Sequence, residues 1–397
     1  MTASERYLKV LNFAETDRTV NWEFAYWGGA LNRWYEEGLP KKYGLEKKVE
    51  YGETVCGAGL HYPLVSVSGG QNIVIDRDVS DFFHFDHNLV CPPINHWIYP
   101  KFEKVTMKED TDKIQIVDED GITKVIKKDA SSMPHWIDWP VKDEKSWEKI
   151  REERFQLNYH DRIVHTQSDF SKIVTDKTHP VNLFGDPVGF YGSIRFLVGE
   201  MNLLYMYYDN PTLVKNILQF LTDFWINMAE EILHRYNIEV CAFWEDMSGK
   251  NGPLIGPNIF REFMSPCYKR LIDFLKTKGV KHFIVDTDGN VSVLIPLFLE
   301  VGITGLLPFE RQAGNDLLQI RKKYPRLQMA GGFNKNVLSQ SYTEIDKELE
   351  IIRNMIQLGG FIPYCDHLVP PNVPWDNYRY FRKRLTEIIL STTVKPS

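Results

Sequence analysis

The sequence predicts an α/β fold, a parallel β-sheet covered by helices, and two observations carry that expectation. From about residue 180, apolar strand-like runs alternate with long helical patterns, which is how parallel strands joined through helices read. Acidic residues repeatedly close the strand-like runs, as in KHFIVDTDGN at 281–290. A closed eight-stranded barrel and an open doubly wound sheet both satisfy the alternation. No Gly-x-Gly-x-x-Gly opens a strand–helix unit, which weighs against a dinucleotide-binding sheet. With no internal repeat and no low-complexity segment, residues 1–397 read as a single domain with an irregular N-terminal part.

Taken in order, the N-terminal third shows one clear local signal. In KFEKVTMKEDTDKIQIVDEDGITKVIKKDA, short alternating runs flank Asp120-Gly121; this predicts a β-hairpin insertion at about 101–130. VNLFGD at 181–186 reads as a strand. From Pro211 to Tyr236 a helix is predicted, because Asn210 caps it, Pro211 takes its first position and Leu213, Val214, Ile217, Leu218, Leu221, Phe224, Trp225, Met228, Ile232 and Leu233 form a stripe. VCAFWED at 240–246 is the next strand. A helical stretch from Pro257 to Lys278 should bend at Pro266 and stop at Gly279. After the strand FIVDTDG come a short helix, the strand ITGLLPFE at 303–310, a helix from about Asp316 to Lys323 and the strand LQMAGGFNK at 327–335. Ser341 and Glu344 read as a capping box for a helix running to Leu358. FIPYCDH at 361–367 is the last strand, and an amphipathic helix begins near Asn377.

Composition excludes several classes of function. The hydrophobic share is 43% and the charged share 25%, ordinary for a globular protein with its own core. The net charge of -6 argues against nucleic-acid and membrane-surface partners. No apolar run approaches a membrane span and no signal peptide opens the chain, so a cytoplasmic protein is expected. The five cysteines, Cys56, Cys91, Cys241, Cys267 and Cys365, are scattered and form no Cys-x-x-Cys; reduced thiols are expected. Aromatic residues make up 13%, which serves core packing and leaves room for an aromatic-lined pocket.

The chemistry is concentrated at the carboxyl ends of the strands. VCAFWED ends in Glu245 and Asp246, FIVDTDG in Asp286 and Asp288, ITGLLPFE in Glu310, LQMAGGFNK in Asn334 and Lys335, and FIPYCDH in Cys365, Asp366 and His367. Glu23 in VNWEF is placed similarly. In a parallel barrel these ends share one face, where active sites form. Helix capping explains single Asp residues but does not ask for Glu. A carboxylate-rich pocket is therefore expected, suited to holding a metal or to acid–base chemistry.

These residues carry a family resemblance. FWEDMSGKNGPLIGP (243–257), VDTDGNVSVLIPLFLEVGITGLLPFE (285–310), GGFNK (331–335) and YCDHLVPPNVPWDNY (364–378) resemble the uroporphyrinogen decarboxylase superfamily. The N-terminal RYLKVLNFAETDR and FAYWGGALNRWYEEGLP fit its branch of corrinoid-dependent methyltransferases, which includes the ether-cleaving components of anaerobic O-demethylase systems. The resemblance implies a (β/α)8 TIM barrel over the whole chain. Two departures shape the expected function. The arginine-rich stretch by which decarboxylases grip a porphyrin is replaced by Tyr26-Trp27-Gly28-Gly29, and an acidic pocket repels a polycarboxylate. The His-x-Cys-Gly zinc motif of thiol methyltransferases is replaced by Asp286-Thr287-Asp288-Gly289, with Cys365-Asp366-His367 at the late ligand position.

Loss of the thiolate ligands fits a methyl ether donor, whose oxygen must be protonated or complexed as it leaves. The resemblance thus implies an O-demethylase-type methyltransferase acting on a methoxylated aromatic, with methylamines, methanol, chloromethane and glycine betaine as the alternative methyl donors. Its acceptor would be a corrinoid (cobalamin) on a separate corrinoid protein, since no Asp-x-His-x-x-Gly corrinoid motif occurs here. Expected catalytic residues are Asp286, Asp288, Glu310, Asp366 and His367. Glu245, Asp246, Trp27, Tyr191 and Trp244 are expected to bind substrate, and Asp286, Asp288 and His367 to hold a metal, zinc first. A homodimer is the assembly considered. The rival readings are a decarboxylase or lyase acting on a small acid, and a non-catalytic barrel that binds a corrinoid protein.

Overall fold

The computed structural model describes residues 1–45, 49, 52–57, 74–128, 134–163, 167–185 and 187–394. Asp186, the last residue of the predicted strand 181–186, and residues 129 and 130 of the predicted insertion lie outside them.

Five strands form one parallel sheet: β5 (Val240–Trp244), β6 (His282–Asp286), β7 (Gly305–Leu307), β8 (Gln328–Phe333) and β9 (Phe361–Cys365), in spatial order β9-β8-β7-β6-β5. Each is followed by a return helix, as apolar strands separated by amphipathic helices require. These helices are α5 (Ser265–Thr277), α6 (Leu294–Glu300), α7 (Leu317–Lys323), α8 (Tyr342–Gln357) and α9 (Trp375–Ser391). The helix preceding β5, α4 (Pro211–Arg235), starts as its sequence dictates: the Asn210 side chain accepts from Leu213 N at 3.2 Å, and Pro211 occupies the first turn.

Chain segments run past both edges of this sheet. Asn182 forms a parallel bridge to Val240, and Val181 a parallel bridge to Val90. On the other edge the Thr19 hydroxyl donates to Phe361 O at 2.7 Å, and Cys365 N donates to Glu23 Oε1 at 2.9 Å. Asp86 N donates to Asn21 O at 3.0 Å. Within this parallel layer, regular ladder pairing among the described residues is confined to the five strands. The predicted strand at 181–186 contributes a bridge because the Asn182 side chain, rather than its backbone, takes the amide of Ala242.

Three local differences from the sequence reading have physical causes. The predicted helix from Pro257 to Lys278 is interrupted at 260–264 by a wider π-helical turn, just where Pro266 withholds the N–H that Glu262 O would accept. At the start of α8, Ser341 caps the Glu344 amide, but the Glu344 carboxylate pairs with Lys347 at 2.6 Å instead of closing a capping box. The Asp120–Gly121 turn lies within a four-stranded antiparallel sheet of β1 (Val105–Glu109), β2 (Lys113–Val117), β3 (Thr123–Lys127) and β4 (His135–Asp138). The outer strand β1 is exposed throughout, so it lacks the alternation that betrays a half-buried strand.

Packing pushes the chemistry to the strand ends. Between Tyr7, Trp22, Leu89, Ile284, Leu307, Met329, Ile362 and Tyr364 only about 20 Å³ is left. That is room for about one water and no organic substrate. The sheet interior is core, and its carboxyl mouth is the surface on which strand-borne side chains meet.

Buried His96 fixes one loop at that mouth: its Nε2 accepts from Gly185 N at 2.7 Å, so the ring is neutral. Burial pushes its pKa down from 6.5 to about 4. The unfolded chain therefore binds more protons as pH falls from about 6.5 to 4, and stability falls with pH across that window by on the order of 3 kcal/mol for this group. His179 and His282 are pushed down to about 4 by burial as well. Urea unfolding of His96→Gln at pH 6.5 and 4.5 should show a smaller pH dependence than the wild type. An unchanged dependence would remove His96 from this account.

Candidate functional site

Four loops at the carboxyl ends of β6 to β9 are tied into a closed circuit. Asp288 stands two residues beyond β6 and is followed by Gly289, whose φ is 75°. A Cβ at Gly289 would lie 2.5 Å from the carbonyl oxygens of Ser248 and Gly249, so only glycine lets these segments meet. Gly289 N donates to Glu310 Oε2 at 3.0 Å, and Glu310 Oε1 lies 3.6 Å from Lys335 Nζ. Lys335 N donates to Asp366 Oδ1 at 3.0 Å, while Arg311 N donates to Asp366 Oδ2 at 2.7 Å. Asp366 leads directly into His367, whose Nε2 is 3.4 Å from Asp288 Oδ2. Asp288, Glu310, Asp366 and His367 are thus brought together.

Within the circuit the residues differ in access. His367 and Asp288 are partly exposed, with side chains 25% and 33% accessible. Asp366 is buried, and both its oxygens are taken by loop amides. Burial raises its pKa, opposed by those amides and by Lys335. Asp366 therefore positions the loops, a correction to its expected contact with the reacting atoms. Asp286 ends β6: its carbonyl accepts from Glu245 N at 2.9 Å, and its charge acts on the buried phenol of Tyr364, whose pKa is raised by burial first and by Asp286 second.

Beside the circuit stands a second group. Asp246 adopts a left-handed backbone, φ 43°, uncommon outside glycine and tolerated by Asp. Arg195, on α3 (Phe190–Val198), donates from Nη2 to Asp246 Oδ2 at 2.9 Å and from Nη1 to Asp246 O at 3.0 Å. Burial raises the Asp246 pKa; Arg195 opposes that and the nearby Asp288 charge adds to it. The Arg195 guanidinium also lies 4.8 Å over the Trp244 ring, which stacks on Phe196 at 5.2 Å. Trp244 is half-buried in this stack, and Trp27 is half-buried beside Phe24, Ala25 and Leu368.

Two expected substrate contacts give way to structural roles. Glu245 is fully buried and accepts from the amides of Phe190 at 2.7 Å, Tyr191 at 2.6 Å and Gly192 at 2.9 Å, and from the Tyr268 hydroxyl. It caps the start of α3, where backbone donors are otherwise unpaired. The close approach depends on Gly189 and Gly192, where a Cβ would come within 2.0 and 2.4 Å of Trp244 O. Tyr191 is wholly buried, so its ring packs in the core and offers no face to a ligand. Glu23 is likewise internal, held by Arg382 at 3.3 Å, the Tyr378 hydroxyl at 3.1 Å and Cys365 N.

Among the described residues, no three His, Cys, Asp or Glu side chains stand together as a metal-binding group. The pair His367–Asp288 supplies two donors, whereas a catalytic zinc takes three protein ligands and a water. The donor set expected from Asp286, Asp288 and His367 does not fit that requirement.

Three residues of the mouth escaped the sequence reading of the site. Arg195 is the lone cation in the apolar run FYGSIRFLV, a pattern that asks for a buried acidic partner. Lys335 was legible as a strand end but carries its charge into the circuit. Phe24 lies with its ring centroid 6.0 Å from that of His367 and 5.9 Å from that of Tyr364; nothing in its local sequence marks it.

Glu245→Gln should destabilise the protein by on the order of 3 kcal/mol, because the amide turns an N–H against buried donors that a carboxylate satisfies. Denaturant titration measures this. A loss below about 0.5 kcal/mol, the usual range for surface changes, would show that the cap carries no weight.

Comparison with known proteins supplies the frame for this geometry. A family model described as uroporphyrinogen decarboxylase (URO-D) matches residues 124–388. A solved methyltransferase from Methanosarcina mazei superposes with a TM-score of 0.55 at 12% identity, covering 98% of this chain and 99% of that one. A xylose isomerase-like TIM barrel protein from Mycobacterium smegmatis, solved in complex with magnesium, overlaps 62% of this chain and 90% of its own, at 15% identity and a TM-score of 0.30; that overlap is too weak to carry an argument. No curated protein sequence gives a significant match. The first of these structures supports the α/β fold with its parallel sheet, and the family model spans well over half the chain: this protein belongs to the uroporphyrinogen decarboxylase family.

Proposed function

We propose that the chain is a methyltransferase that cleaves a methyl ether, a methoxylated aromatic, and passes the methyl group to the Co(I) corrinoid of a separate protein. The observation that carries this reading is the partly exposed His367–Asp288 pair, 3.4 Å apart, at the carboxyl mouth of the parallel sheet. The methyltransferase name of the Methanosarcina mazei structure, which shares the fold from end to end, agrees with it. We take the closed eight-stranded barrel as the frame, with segments 19–23, 86–90 and 181–183 completing the five ladder-paired strands.

An aryl ether resists methyl loss because phenoxide is a poor leaving group. In this reading the ether oxygen sits against His367. The corrinoid, as the second substrate, donates an electron pair to the methyl carbon. The C–O bond breaks, its electrons stay on oxygen, and the imidazolium proton of His367 moves to that oxygen to give a phenol. Such proton donation is worth about 10²–10⁴ in rate. Asp288 orients the imidazole by its contact to Nε2. Arg195 holds Asp246 beside Asp288, so the second carboxylate keeps its place without crowding the ring. Phe24 and Trp27, close to His367 and Leu368, offer apolar surface for the arene.

His367→Gln should lower single-turnover methylation of the corrinoid protein by about 10²–10⁴ while the thermal midpoint stays put. Asp288→Asn should produce a smaller loss, since it misorients the donor without removing it. Near wild-type turnover in both variants would contradict the assignment.

A further inference from the structure

The four-stranded sheet β1–β4 gathers positive charge on one face. Residues paired across strands share a face of the sheet. The register pairs Lys108 with Gln115, Lys113 with Lys127, and Val125 with both Gln115 and His135. These side chains line one groove of about 490 Å³, within the range of ligand pockets, roughly 300–1,000 Å³. Gln115 and Val125 are half-buried and form its floor, while the three lysines and His135 are exposed and form its rim. Among the described residues of the lining, Asp110 is the only acid. It stands 3.2 Å from Lys108 with both side chains more than half exposed, so this pair is weak. A basic groove thus stands on a chain whose net charge is -6.

The lysines are not explained by the sheet itself. Lys113 and Lys127 lie directly opposite each other, and like charges in that relation destabilise a sheet. Lysines on edge strands guard against aggregation, but β2 and β3 are the inner strands of the order β1-β2-β3-β4. Among the described residues, the Lys113 side chain has no ion-pair partner. The sheet occupies the connection between Val90, bridged in parallel to Val181, and the helix Glu144–Arg154. Connections from a parallel strand to its helix lie on the carboxyl side, where the mouth opens. The exit of the sheet is fixed to the end of α3: Val141 N donates to Leu197 O at 3.0 Å, and a Cβ at Gly199 would lie 2.7 Å from the Trp139 ring.

We infer that this face of the inserted sheet is a docking surface for another protein, held by an acidic, extended segment laid across β1, β2 and β3. The inference stands apart from the methyl-ether reading. Charge complementarity selects the occupant. The three lysines are spread over three strands, one on each, which suits a segment bearing several carboxylates better than one small anion. The Gln115 side chain adds a donor and an acceptor for the backbone of such a segment. Nucleic acid fits less well. The described lining holds no aromatic ring on which a base could stack and no arginine to fork around a phosphate.

The test is fluorescence anisotropy of a labelled octaglutamate peptide titrated with the full chain, with octalysine and an octathymidylate strand as comparison probes. The wild type should bind octaglutamate more tightly than either comparison probe, and its affinity should fall as salt rises. Lys113→Glu should weaken octaglutamate binding about 10- to 100-fold. The same change should raise the thermal midpoint, because it sets opposite charges across from each other at Lys127. Lys113→Met, which keeps the apolar stem, should weaken binding in the same direction by less. Asp110→Asn, which removes the acid from the rim, should tighten it. Weaker binding together with higher stability is a combination that a merely structural lysine does not produce. The inference is overturned if Lys113→Glu binds octaglutamate as the wild type does, if binding is lost only together with a fall in the midpoint, or if the wild type prefers octathymidylate. Sedimentation of the chain alone provides the last check: self-association that Lys113→Glu abolishes would assign the face to a second copy and overturn the inference as well.

Discussion

The mouth of the sheet depends on the buried carboxylate of Asp366. Its two oxygens take the amides of Arg311 and Lys335, which lie in the segments that follow β7 and β8. One side chain thereby fixes where Glu310 and Lys335 enter the site, and its own chain places His367 next door. Buried carboxylates bonded to backbone N–H groups lock geometry firmly, because unpairing any of those donors exposes a full desolvation cost. The partly exposed pair that we assign to the chemistry is held by a shell that is not itself exposed.

The same device recurs at other strand ends. Glu245 closes the start of α3 on the end of β5, and Glu23 joins the amide of Cys365 at the end of β9 to Arg382 on α9. The acids thus divide into two populations. Glu23, Glu245 and Asp366 are buried and saturated, while Asp246, Asp286, Asp288 and Glu310 keep some exposure. With almost no free volume between the side chains that fill the sheet interior, the exposed set is the part of these strand ends that is open to solvent.

This division was not legible in the sequence. Strand–helix alternation was plain, because burial on both faces of parallel strands leaves long apolar runs, and β5 through β9 fall inside the predicted runs. The clustering of acids at strand ends was legible for the same reason. What the sequence does not encode locally is which acid meets backbone amides and which meets solvent. Glu245 and Asp246 are neighbours, yet one is sealed under α3 and the other faces Arg195 and the mouth. Tyr191 read as a ligand-stacking ring and is core, while Phe24 read as nothing and lies beside His367. Both outcomes are set by contacts between segments far apart in the chain, Phe24 with His367 and Tyr191 with Glu245, which periodicity does not report. The edge strand β4 lies beyond the predicted insertion and went unread because an almost fully exposed edge strand has no buried face to impose alternation.

The central claim is that the reacting bond is the carbon–oxygen bond of a methyl ether and not a carbon–carbon bond to a carboxylate. One incubation separates the two. The protein, a Co(I) corrinoid protein and a methoxybenzoate carrying deuterium in its methoxy group and carbon-13 in its carboxyl group are combined under reducing conditions, and products are followed by mass spectrometry and visible absorption. The account predicts labelled methyl on cobalt in equal amount to hydroxybenzoate that retains its carbon-13. Release of labelled carbon dioxide, with the methoxy group intact and no methyl–cobalt signal, would contradict it.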